Sequence, residues 1–233
     1  MRIKMFQINQ DRDDLRVKFC GLAETGQIQQ SNDRSAAIDP KLYDEVFDGE
    51  VDCKTLESVY TLFNSDHPPF HRGHSLSVSD IVQITENKNN YLHGFFYCES
   101  VGFENIGFDP AQTQKPDDLL RVVAIEPGKP AYVAEVADQL RSFQQAVRGR
   151  IEVTYPFEGN AVAVSNAVSK LDGMPGNRTI NGEVYAGTMF IVGDRGDGSF
   201  CSLTDEQTER YLAEFQKPEI FDDEDVDFGL DLT

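Results

Sequence analysis

The chain is short of bases. Against 40 Asp and Glu it carries only 21 Lys and Arg, a formal net charge of −19. Such a surface repels phosphate, so direct binding of nucleic acid is not expected. There is no apolar run near the ~20 residues that a membrane span requires, and no membrane partner is expected. The N-terminal stretch MRIKMFQINQDRDD turns acidic before the apolar part of an export signal could form. Cysteine is also sparse. Cys20, Cys53, Cys98 and Cys201 lie far apart and form no CxxC pair, which argues for reduced thiols in a cytoplasmic protein and against a zinc site. With four histidines, none in a recognised catalytic frame, the expectation is a protein that is not an enzyme, with no catalytic residues, no metal and no cofactor.

What is present is enough for a packed fold. Sixteen Phe and eight Tyr in 233 residues can build a core. The pattern predicts an α+β protein of two small domains, each an antiparallel or mixed sheet with one or two helices, followed by a disordered acidic tail. The expected boundaries are 1–110, a polar linker at 111–118, a second domain at 119–217, and the tail at 218–233. The tail holds seven acids and no base, and like charges resist packing.

Within the first domain, residues 4–8 and the alternating residues 16–20 read as a hairpin. Asp39 and Pro40 read as the start of a helix with Leu42, Val46 and Phe47 on one face. Asp52 or Thr55 would cap a second helix bearing Leu56, Val59, Tyr60 and Phe63. Residues 64–73 form a loop around Pro68 and Pro69, strands follow at 81–84 and 94–98 with a turn at 86–90 between them, and residues 102–108 close the domain. In the second domain, strands are predicted at 120–125, 151–155, 161–165 and 187–193. Residues 131–147 read as an amphipathic helix stopped by Gly149. Residues 172–177 read as a flexible loop, and residues 193–198 (GDRGDG) as a tight turn. Thr204 would cap a last helix at 205–215.

Several strings resemble known families. FQIN at 6–9 with Asp11 to Asp13, YDEVFDG at 43–49, NSDHP at 64–68, GHSLSVSDIV at 73–82 and SVGF at 100–103 together resemble the YodL-like domain over residues 1–110. VVAIEP at 122–127, Tyr155 to Phe157, Asn177 with Arg178, and residues 187–193 resemble domain of unknown function 3846 over residues 120–216. The resemblance implies an accessory protein encoded by a phage or conjugative element of Firmicutes, often beside anti-restriction genes.

Three groups of residues are candidates for function. The first is a loop motif: Asp66, His67, His74, Ser75, Ser77, Ser79 and Asp80. His67, His71 and His74 with Asp66 have metal-ligand chemistry, but the prolines deny them a helix; hydrogen bonds that shape the loop are the expected use. A Ser–His74–Asp80 triad is disfavoured, because alternating serines face opposite sides and no GxSxG elbow surrounds them. The second group is Asn177 and Arg178, whose amide and planar guanidinium suit a small anionic ligand or nucleotide; the competing reading pairs Arg178 with Glu183 or Asp172. The third is the tail, where Asp222, Asp223, Glu224, Asp225 and Phe228 form an acidic–hydrophobic recognition segment. The leading expectation is binding of another protein, such as a host defence or DNA-binding protein, by acidic imitation of a phosphate track. Glu24, Asp44, Glu45, Asp48, Glu50, Asp52 and the tail would supply the charge.

Overall fold

The computed structural model describes residues 1–34, 37–86, 92–114 and 118–221. They fall into two units, divided between Asp117 and Asp118. Both are α+β.

The first unit contains β1 (Arg2–Ile8), α1 (Leu22–Ser31), β2 (Tyr43–Glu50), α2 (Leu56–Ser65), β3 (Ile81–Glu86), β4 (Gly94–Cys98) and β5 (Phe103–Ile106). The strands form one antiparallel sheet in the order β2-β1-β3-β4-β5. Alternation along β1 divides the core. Ile3 and Met5 join Leu56, Val59 and Phe63 of α2 on one face. Phe6 and Ile8 join Leu42, Tyr43 and Tyr97 on the other, with Leu22 and Ile28 of α1 packed against them. Of the two candidate caps it is Thr55 that opens α2, exchanging hydrogen bonds with Ser58 so that free backbone N–H groups of the first turn are satisfied.

Three expectations for this unit are corrected, and one helix has no counterpart among them. Residues 16–20 are turns, with Arg16 and Phe19 at φ 56° and 70°, so β1 pairs with β2 and β3 instead of a local hairpin. Asp39 does accept from the Lys41 N–H, but the helix it opens is a single 3₁₀ turn, Pro40–Leu42. Val46 and Phe47 belong to β2, paired to β1 along its length. Helix α1 had no apolar period to reveal it, because its buried positions are Thr25 and Gln29. The turn expected at 86–90 lies outside the described residues beyond Glu86.

The second unit contains β6 (Leu119–Ile125), β7 (Tyr132–Ala137), α3 (Leu140–Ala146), β8 (Ile151–Thr154), β9 (Ala161–Asn166), β10 (Gly176–Ile180), β11 (Glu183–Ala186), β12 (Met189–Asp194), β13 (Phe200–Cys201) and α4 (Asp205–Glu214). Its main sheet runs β7-β6-β12-β9-β8, with β13 also on β12 and β10-β11 forming a separate hairpin. Met189 and Ile191 share a core with Tyr211 and Phe215 at the α4 end. Phe190, between them and on the opposite face, lies 6.0 Å from the Phe143 ring of α3. Thr204 and Gln207 form the capping box that opens α4.

Here the predicted helix at 131–147 is corrected. Its first half is β7, paired residue for residue with β6, and only Leu140–Ala146 is helical. Gly149 is not its left-handed stop; Arg148 takes that conformation at φ 58°. Gly149 is needed for space, since a Cβ there would run into the Asn166 amide. The first tail residues are engaged: Glu219 accepts from the Thr179 N–H at 3.0 Å, and the Phe221 ring fills the place a Cβ on Gly176 would need.

These two contacts give a test. A chain ending at Lys217 should melt below one ending at Phe221, by about 3–6 °C for the ~1 kcal/mol that one such hydrogen bond and ring contact contribute. Equal melting temperatures in differential scanning calorimetry would show that the contacts add nothing.

Candidate functional site

The 73–80 loop converges on one carboxyl. Asp80 is completely buried. Its Oδ2 accepts from the Ser77 N–H at 2.8 Å and from Gln7 Nε2 at 2.9 Å. Gln7 sits on β1 and faces inward. Its amide also donates to the His74 carbonyl and accepts the His74 N–H, both at 2.9 Å. Gly73 is required beside it, because a Cβ there would collide with the Gln7 amide oxygen. One side chain of a central strand thus holds the loop through three hydrogen bonds.

The loop's imidazole and carboxyl each keep one atom in reserve. His74 Nδ1 lies 2.7 Å from the Ser75 carbonyl, so it carries the proton and Nε2 keeps its lone pair. Both His74 Nε2 and Asp80 Oδ1 are buried without a hydrogen-bond partner. Burial pushes the Asp80 carboxyl up to about 8, against the opposing pull of the Ser77 and Gln7 hydrogen bonds and of Lys18. With Oδ2 filled by donors, the proton of the neutral acid belongs on Oδ1. Burial lowers His74 as well. His71, deeper still, is pushed down to about 3 by burial and by the charges of His67, His74 and Arg72.

The expected loop residues are therefore gathered, but not as a triad. His74 Nδ1 is 3.8 Å from Asp80 Oδ2, beyond hydrogen-bond reach. Ser77 Oγ donates to the Ser75 carbonyl. The Ser75 hydroxyl meets His67 Nε2 at 3.1 Å, a pairing the sequence pattern did not reveal. Among the described residues, no three His, Cys, Asp or Glu side chains are placed to share a metal ion.

Ser79 links this node to the surface. It adopts φ 79°, a conformation that costs a non-glycine residue about 1 kcal/mol or more. In return its N–H reaches the Cys98 carbonyl at 3.1 Å, its carbonyl accepts from Tyr43 at 3.1 Å, and its Oγ accepts the Phe19 N–H at 3.0 Å. Phe19 is also left-handed, and the residue is 60% exposed. Asp13 braces the approach by accepting from the Val17 and Lys18 N–H groups, both at 2.9 Å. Lys18 Nζ sits 5.2 Å over the Phe19 ring. Period-2 reading of residues 16–20 hid this tip, because turns held by distant partners leave no periodic trace.

Asn177 and Arg178 are elsewhere than expected. They lie in β10, not in a flexible loop, and are essentially unexposed. Asn177 Nδ2 donates to the Ile125 and Gly187 carbonyls at 2.9 and 2.7 Å. Arg178 donates to the carbonyls of Asn177, Lys129 and Phe215 at 2.7, 2.7 and 3.2 Å. Neither Glu183 nor Asp172 is its partner. Burial lowers its pKa, and nearby Glu219 works in the opposite sense. Arg178 joins the β6–β7 connection to the C-terminal end of α4, where a cation also suits the helix dipole.

The acids expected to imitate phosphate divide into two sets. Asp44 pairs with Arg12, Glu45 with Lys4, and Asp48 with Arg2 and Lys4. Glu24, Glu50 and Asp52 have no paired base among the described residues. Asp222, Asp223, Glu224, Asp225 and Phe228 lie outside the described residues.

These features define a two-unit α+β protein whose first unit is organised by a buried carboxyl and whose second is tied by a buried arginine. Residues 2–108 match the YodL-like domain, and residues 120–216 match the family described as domain of unknown function (DUF3846). The chain carries one member of each, in that order. No curated protein and no solved structure matches it. No helix among the described residues is long and apolar enough to cross a membrane.

Two outcomes follow. The folded Asp80 carboxyl keeps its proton up to about pH 8, whereas an unfolded one releases it near 3.8. The native state then binds the extra proton between those values, so this group's stabilisation falls as pH rises from about 4 to about 8 and is level above. Asp80→Asn preserves the acceptor for Gln7 and Ser77 and cannot ionise. Its melting temperature should gain on the parent steadily over that range; parallel curves would refute a buried neutral acid. Arg178→Met should lower stability by at least 2 kcal/mol in urea titrations, because three carbonyls lose their donors.

Proposed function

We propose that the protein is a non-catalytic accessory protein of a mobile element that acts by binding another protein, with Phe19 and Lys18 at the centre of the contact. The observation that carries this reading is the exposed Phe19 ring, presented on a left-handed backbone that Ser79 and Asp13 hold in place. Exposure of a large apolar ring costs solvation, and its backbone costs strain. A fold that sustains both has prepared an anchor in advance of its partner. Aromatic anchors dominate protein interfaces energetically.

The partner is a host defence or DNA-binding protein with a basic face. The charge of −19 supports this by drawing such a partner in over long range. Because Asp44, Glu45 and Asp48 are already neutralised by Arg12, Lys4 and Arg2, imitation of phosphate rests on Glu24, Glu50, Asp52 and the acids of residues 222–233.

Size-exclusion chromatography with a panel of purified restriction and CRISPR effector enzymes tests the proposal. One of them should co-elute at low salt and bind less tightly as salt rises. Phe19→Ala should weaken that complex by roughly 30-fold or more, as loss of a central aromatic anchor does, while the melting temperature stays within about 2 °C of the parent. A complex indifferent to Phe19→Ala would remove the anchor from the proposal. Absence of any complex would remove this class of partner.

A further inference from the structure

The second unit holds a cavity of about 280 Å³ that lies apart from the Arg178 ties. Strand register explains its shape. Glu152 on β8 is paired with Ser165 on β9, so both side chains leave the same face of the sheet, and Thr154 follows two residues along. The β10–β11 hairpin lies over that face, where the Tyr185 hydroxyl meets Thr154 Oγ1 at 2.7 Å. The sheet is one wall, β11 is the other, and residues 167–171 close the end.

The lining is polar and unevenly charged. Ser165 is only 4% exposed, yet its hydroxyl has no hydrogen bond among the described residues. It opens into the cavity it lines. Lys170 Nζ stands 3.8 Å from Glu183 Oε1, a loose pair. Glu152 has no paired cation among the described residues. Two carboxylates against one ammonium leave the cavity net negative. Leu171 and Val184 add apolar wall.

We propose that this cavity binds a small aliphatic amine in its ammonium form, with Glu152 as counter-ion and the Ser165 hydroxyl as a second acceptor. An anion would face the unpaired Glu152. A guanidinium asks for a planar, two-pronged partner, whereas an ammonium offers three tetrahedral donors to separate oxygens. The volume lies just below the ~300–1,000 Å³ of drug-sized pockets, which fits a short methylene chain lying along Leu171 and Val184. This site is independent of the Phe19 contact and stands or falls separately.

Putrescine is the probe, titrated into the full-length ¹⁵N-labelled protein at neutral pH and physiological salt. The expected result is saturable shifts confined to residues 152–154, 165–171 and 183–186. Glu152→Gln should raise the apparent Kd about tenfold or more, because a charge-assisted hydrogen bond is lost. Ser165→Ala should raise it several-fold, and both variants should melt within about 2 °C of the parent. The proposal is overturned by absence of saturation at millimolar putrescine, by shifts spread over the acidic surface that vanish with added salt, or by a Kd unchanged in Glu152→Gln. A blocked lysine tripeptide is titrated alongside. If it binds the same residues more tightly than putrescine, the site belongs to a protein side chain and the small-amine assignment fails.

Discussion

Gln7 projects from the C-terminal end of β1 into the first unit, where an unpaired amide would cost several kcal/mol. The 73–80 loop meets that demand. It presents the His74 N–H and carbonyl and the Asp80 carboxyl to one amide group, and Gly73 makes the approach possible. Much of the first unit's irregular structure is arranged by this constraint. Once Asp80 is placed, Ser77 is turned toward it, Ser79 is forced into a left-handed conformation, and Phe19 is captured by the Ser79 hydroxyl. A buried carboxyl with a raised pKa serves here as a neutral connector: it satisfies donors without the charge that its surroundings could not solvate.

The second unit solves a related problem with the opposite charge. Arg178 cannot shed its proton, so its two terminal nitrogens donate to carbonyl dipoles gathered from β10, the β6–β7 connection and the end of α4. Asn177 does the same for β6 and Gly187. Consecutive residues therefore join β10 to the 125–129 stretch, to Gly187 and to the end of α4. Polar residues used this way specify a unique arrangement of elements, because any other packing strands their donors.

Charge on the outside is less simple than the total implies. Acids of β2 face bases of β1 across the strand pair, Arg12 beyond the end of β1 pairs with Asp44, and part of the formal excess is neutralised locally. Exposed pairs of this kind contribute little stability. Among the described residues, Glu24, Glu50, Asp52 and Glu152 are acids without a paired base, and there the negative field is uncompensated.

Sequence alone determined whatever depends on neighbours in the chain. The cap at Thr204, and that at Thr55 as one of two candidates with Asp52, were legible because a cap and its helix lie within four residues, whereas their reciprocal partners Ser58 and Gln207 came from the structure. Strands β3, β4, β6, β9 and β12 were legible as short apolar runs between turn residues. Tertiary structure decided the rest. The valines of β7 fit a helical spacing as well as a strand, and only pairing with β6 settled the matter. Helix α1 buries Thr25 and Gln29, so it had no apolar stripe to read. Asp80, Phe19 and Arg178 owe their roles to partners up to 73 residues away. A hydrogen bond across such a distance is a property of the folded chain, since each donor is chosen by what the fold brings beside it.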